Sequence, residues 1–90
     1  MTEFTITGNL NGVDANNYVF FLNEGKNLFT IHTSKDCSLI EELLDVRDGA
    51  RIRVTGIILR DRENNKEIFV CRKATMLLGD DKTIQFVGNK

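Results

Sequence analysis

Apolar and polar residues alternate with a period of two over much of this chain. Phe4-Thr5-Ile6-Thr7 opens the pattern and passes through Gly8 to Leu10, which predicts a first strand. Gly12 to Asn17 gathers turn formers and predicts a loop. Tyr18–Leu22 is an aromatic and β-branched run, and Leu28–Thr33 returns after a turn at Asn23-Glu24-Gly25-Lys26-Asn27. Arg51–Arg60 predicts a long fourth strand. A turn at Glu63–Lys66 then leads to a fifth strand over Ile68–Met76, and Ile84–Val87 is a short terminal candidate.

The period changes once. Leu39, Leu43 and Val46 share one helical face with Ile40 and Leu44 beside them. Ser38-Leu39-Ile40-Glu41 fits a capping box, in which the Ser38 hydroxyl accepts from the Glu41 amide and the Glu41 carboxylate from the Ser38 amide. Gly49 is placed to stop the helix in a left-handed conformation. Glu41, Glu42, Asp45 and Asp48 fall on the opposite face and read as a solvated surface. The order is β-β-β-α-β-β in a single domain over residues 1–90.

Turn geometry sets which side chains point outward. A two-residue turn at Glu24-Gly25 would put a positive φ on Glu24, so the expectation is a three-residue loop, Asn23-Glu24-Gly25. That loop pairs Leu22 with Lys26, Phe20 with Leu28 and Tyr18 with Thr30. Phe29 and Ile31 form the more apolar row of strand three and are sent inward, with Val19 and Phe21. Tyr18, Phe20, Leu28, Thr30 and His32 then share the outer face. In strand four, Ile52 and Val54 point inward and Arg51, Arg53 and Thr55 outward.

A helix after strand three and before strand four resembles the oligonucleotide/oligosaccharide-binding (OB) fold, a five-stranded, partly open Greek-key barrel. The stretch Asp48-Gly49-Ala50-Arg51-Ile52-Arg53-Val54-Thr55-Gly56 carries the resemblance: a Gly-led turn out of the helix, then a fourth strand with an interior Gly where a small barrel bends. The resemblance spans residues 4–78. It implies a ligand face on strands two and three, flanked by the 1–2 and 4–5 loops. On this sequence that face holds Tyr18, Phe20, Thr30 and His32, with Asp14–Asn17 on one side and Arg60–Glu67 on the other. Aromatic rings there would stack on bases, and Arg60, Arg62, Lys66 and Lys73 would meet phosphates, with Arg51 and Arg53 on the neighbouring strand. Plainer readings stand beside these. Tyr18 and Phe20 could be covered by the C-terminal segment around Phe86. His32 could be an ordinary surface residue. The hairpin charges could pair across strands, given Asp61, Glu63 and Glu67.

Charge sharpens the picture. The 12 Lys and Arg against 13 Asp and Glu give a net charge of −1, which excludes a polycation. The first 50 residues hold three bases and eight acids, the last 40 nine bases and five acids. Near neutrality therefore conceals an acidic half and a basic half, and a local basic surface remains open.

Other classes receive little support. One His, no Gly-rich phosphate loop, no nucleophile elbow and no metal-ligand spacing argue against an enzyme and set no catalytic, metal or cofactor site. Cys37 and Cys71 lie in different elements and read as thiols in a reducing cytoplasm, with a disulfide or a reactive thiol as alternatives. No apolar run is long enough to span a membrane, and the N-terminus lacks the pattern of a secretory signal. The leading expectation is a module for single-stranded DNA or RNA, acting by stacking and phosphate contacts in replication, recombination or repair. The alternative is a protein-interaction module on the same fold.

Overall fold

The structure, a computed structural model, describes residues 2–35, 39–77 and 83–87. The expected element order is present: β1 (Thr2–Asp14), β2 (Val19–Glu24), β3 (Asn27–His32), α1 (Leu39–Leu43), β4 (Arg51–Asp61), β5 (Lys66–Leu77) and β6 (Thr83–Val87). The strands form one sheet in the order β3-β2-β1-β4-β5-β6, and an added parallel pairing of β3 with β5 closes five of them into a ring. The fold is all-β and barrel-like, with one short helix between strands three and four.

The second edge of β5 is shared. Its first part meets β3 at Phe69 and Val70, and its second part, Lys73–Leu77, carries β6. Leu10, Phe20, Leu22, Ile31, Ile52 and Val54 fill the ring, and α1 adds Leu39, Ile40 and Leu43 to the same core. Burying such side chains is the main favourable term in a chain this small. Cys71 is also buried in that core.

Three departures from the sequence reading have physical causes. First, β1 does not end before Gly12 but runs on to Asp14, with a bulge between Leu10 and Val13 absorbing an extra residue. Second, α1 is shorter than the apolar pattern predicts. After Leu43 the chain tightens, with three N–H groups each bonding a carbonyl three residues back: Leu44 to Glu41, Asp45 to Glu42 and Val46 to Leu43. Asp45 and Asp48 oppose the dipole at a helix C-terminus, and Val46 is a weak helix former. Gly49 has φ 92°, as the stop signal predicts. The proposed Ser38 cap and Cys37 lie outside the described residues.

The third departure matters most for function. The β2–β3 turn has two central residues, Gly25 and Lys26, with Glu24 opposite Asn27. Gly25 takes the first central position with φ 62°, which suits a Gly-first two-residue hairpin turn. The pairing is thereby offset by an odd number of residues from the expected three-residue loop, and strand two turns over. Phe20 now pairs with Ile31 and Leu22 with Phe29 on the inner face, while Phe21 pairs with Thr30 and Val19 with His32 on the opposite face, where Val19 is nonetheless buried at 8% exposure, as its apolar character leads one to expect.

Candidate nucleic-acid interface

The structure divides the sequence-predicted site residues into three groups. Phe20 belongs to the core: it is 0% exposed, so the expectation that it stacks on a base is corrected. Tyr18 lies in the turn before β2, half-buried against the core. It holds φ 56°, and its carbonyl accepts from the Thr33 N–H at 2.9 Å and the Thr33 hydroxyl at 3.2 Å. Its backbone thus fastens the β1–β2 turn to the end of β3. Phe86, offered as a cover for these rings, lies outside the residues whose side chains are described.

A second group surrounds a groove of about 480 Å³ between β3 and the β4–β5 hairpin. Thr30, His32 and Lys66 all line it, beside the apolar Leu28, Phe29, Ile68 and Phe69. The structure thus brings together three candidates from distant parts of the chain. Arg60 and Arg62 sit near the hairpin tip, but Arg60 is engaged locally. Its guanidinium donates to Asn65 Oδ1 at 3.2 Å and lies 3.9 Å from the Glu67 carboxylate. Arg60–Glu67 and Asp61–Lys66 are cross-strand neighbours, as the plainer reading of this hairpin expects.

Asp61 organises the tip. Its carboxylate accepts from the Asn64 side-chain amide at 2.8 Å and from the Glu63 N–H at 3.0 Å. The Asn64 amide is the main reason its pKa falls below the usual 3.8, with slight desolvation opposing and the Asn64 and Glu63 backbone and Lys66 assisting. A lowered folded-state pKa adds stability above pH 3.8 that is lost as the pH falls through the lowered value. We therefore expect the Asn64 side-chain amide resonances to titrate with a midpoint below 3.8, and an Asp61→Asn variant to abolish that titration. A midpoint at or above the usual aspartate value would contradict this account.

The third group lies on the outer wall of β1, β4 and β5. Arg51 and Arg53 are exposed on β4, as alternation predicts, and Lys73 is exposed on β5. Cross-strand register arranges these positions in rows. Asn23, Asn9 and Arg51 form one row across β2, β1 and β4; Thr7 and Arg53 form the next, ending at the buried Thr75; Thr5, Thr55 and Lys73 the third.

Sequence reasoning misses two members of this surface. Arg72 is the extra residue of a bulge, since Thr55 pairs with Lys73 while Gly56 pairs with Cys71. It is exposed and lines a shallow groove with the outward residues Glu3, Thr5 and Ile57. Arg51, Arg53, Arg72 and Lys73 thus share one wall, with the acid Glu3 beside Arg72. The second missed residue is Phe21. It is half-buried on the outer face of β2, and a Cβ on Gly12 would lie 3.9 Å from its Cδ2 atom. The signal for Phe21 was a Gly-first turn at Gly25-Lys26. Arg72 had no local signal, because the bulge depends on how β5 packs over Gly56.

Among the described residues, no group of three or more His, Cys, Asp or Glu side chains converges as a metal site would require. No described helix is long and apolar enough to cross a membrane. Comparison with family models, curated proteins and solved structures gives no match, so the reading of this surface rests on its own geometry.

Proposed function

We propose that the chain is an OB-type barrel that binds single-stranded nucleic acid as a cytoplasmic, non-catalytic module in replication, recombination or repair. The observation that carries this reading is the wall of Arg51, Arg53, Arg72 and Lys73, four exposed cations on neighbouring strands of a nearly neutral protein. Phosphate oxygens of a single strand would follow these cations, and threonine and asparagine side chains between them offer further hydrogen bonds. Phe21 replaces Phe20 as the stacking platform, next to Thr30 across the β2–β3 pair. Asn23 and Asn9 continue the surface from β2 to Arg51. Arg60 contributes little here because Glu67 and Asn65 already hold it.

A salt series with a labelled single-stranded oligonucleotide tests the proposal. Four neutralised phosphates give a slope of log K against log salt near −3, from about −0.7 per phosphate. Combining Arg53→Gln with Lys73→Gln should flatten the slope by about 1.4. Arg60→Gln should leave it unchanged, and Phe21→Ala should weaken binding without altering it. Absence of binding at low salt would overturn the proposal. The alternative of a protein-interaction module draws on a different feature, the outward apolar residues Leu28 and Leu59, which are 57% and 47% exposed.

A further inference from the structure

The ring closes through a short seam. β3 and β5 pair only at Ile31–Phe69 and His32–Val70. Before those residues the two strands part, and the 480 Å³ groove lies in the gap. The far edge of β3 is occupied by β2, and that of β5 by β4. Alternate backbone N–H and C=O groups of Asn27–Thr30 and Lys66–Ile68 therefore face the groove without a strand partner among the described residues. Strand edges left open in this way are templates for another chain.

The side chains around the gap suit an extended peptide. Phe29 and Phe69 meet edge to face at 5.9 Å and form an apolar floor. Leu28, more than half exposed, and Ile68 form its rims. Charge separates this cleft from the cationic wall. Asp61 and Glu67 line it with the cation Lys66, Arg60 stands 3.9 Å from the Glu67 carboxylate, and the hairpin favours the ionised form of Asp61. With Glu67 offset by Arg60, the cleft has no excess of cations for a phosphate backbone, and the Asp61 carboxylate attracts a lysine or arginine.

We propose that the β3–β5 cleft binds an extended peptide segment of a partner protein by strand addition. The segment pairs its backbone with the open edges of Asn27–Thr30 and Lys66–Ile68. Its apolar side chains, at alternate positions, rest on Phe29 and Phe69, and a lysine or arginine lies toward Asp61. The site is separate from the nucleic-acid wall and does not depend on it.

The probe is a displayed library of random octapeptides selected against the full chain. Selected sequences should carry apolar residues at alternate positions and a lysine or arginine. The strongest peptide should slow amide exchange at Asn27–Thr30 and Lys66–Ile68. N-methylation of its alternate amides should weaken binding about tenfold or more, since it removes strand hydrogen bonds. Leu28→Asp should weaken binding to a similar degree with the unfolding temperature unchanged, because Leu28 is exposed. Three results would overturn the proposal. They are a library with no alternating consensus, equal binding of the N-methylated peptide, and protection of the same amides by a thymidine oligonucleotide, which would assign the cleft to nucleic acid.

Discussion

Phe20→Ala is expected to lower the unfolding free energy by about 4 kcal/mol, within the range for buried Phe truncation. A domain of this length has a total stability on the order of 5–13 kcal/mol, so the variant loses a large share of it. The unfolding temperature should fall by roughly 16–32 °C, at about 4–8 °C per kcal/mol. The reason is position: Phe20 is fully enclosed opposite Ile31, in one cluster with Leu10, Leu22 and Val54. No neighbour can fill the space of a deleted ring without moving a strand of a closed ring. Phe21→Ala, one residue along and half-buried on the outer face, should cost far less stability. Urea denaturation of both variants checks the face assignment directly. A Phe20→Ala cost below about 1 kcal/mol would mean that strand two faces the other way.

Gly56→Ala should be the second most damaging change. A Cβ built on Gly56 would overlap the Val70 carbonyl oxygen and approach Phe4 Cε1 to 3.0 Å. The obstacle is backbone, not the end of a flexible side chain, so relief requires β5 to move away from β4 at the bulge. We expect a loss of about 3 kcal/mol, at the upper end of typical overpacking costs. The corresponding fall in unfolding temperature is roughly 12–24 °C. Arg72 lies at this bulge, so the same variant should also disturb the cationic wall. Thermal unfolding followed by circular dichroism reads the first effect. A variant as stable as the parent chain would show that β4 and β5 do not approach so closely.

These two positions illustrate what sequence could and could not convey. Gly56 was legible as an interior glycine of a bent strand, because a period-two pattern with one missing side chain reports close backbone approach. The positions of Arg51, Arg53, Ile52 and Val54 followed from alternation alone, and the structure bears out both faces of β4. The helix was legible from its change of period, though its length was not. Strand two failed for a discrete reason. Asn23-Glu24-Gly25-Lys26-Asn27 admits loops of different length around the same glycine, and changing the pairing offset from even to odd exchanges Phe20 for Phe21. Nothing in Tyr18–Leu22 resolves that choice, since aromatic and β-branched residues occupy both faces. The groove is non-local: Thr30 and His32 meet Lys66 only because β3 reaches β5.

The seam between β3 and β5 also bears on how the chain reaches this structure. The β2–β3 and β4–β5 hairpins join strands that are neighbours in sequence, and such units form in microseconds. The other connections are distant. Thr2 pairs with Ile58, and Ile31 with Phe69 across the whole helical segment and β4. Each must overcome the entropy of closing a long loop before its contacts contribute, which places this topology among the slower small folds. The β1–β4 ladder runs through eight residue pairs and can repay that closure. Two pairs at β3–β5 cannot nucleate anything on their own, so the ring should close last, after the two halves have already zipped together.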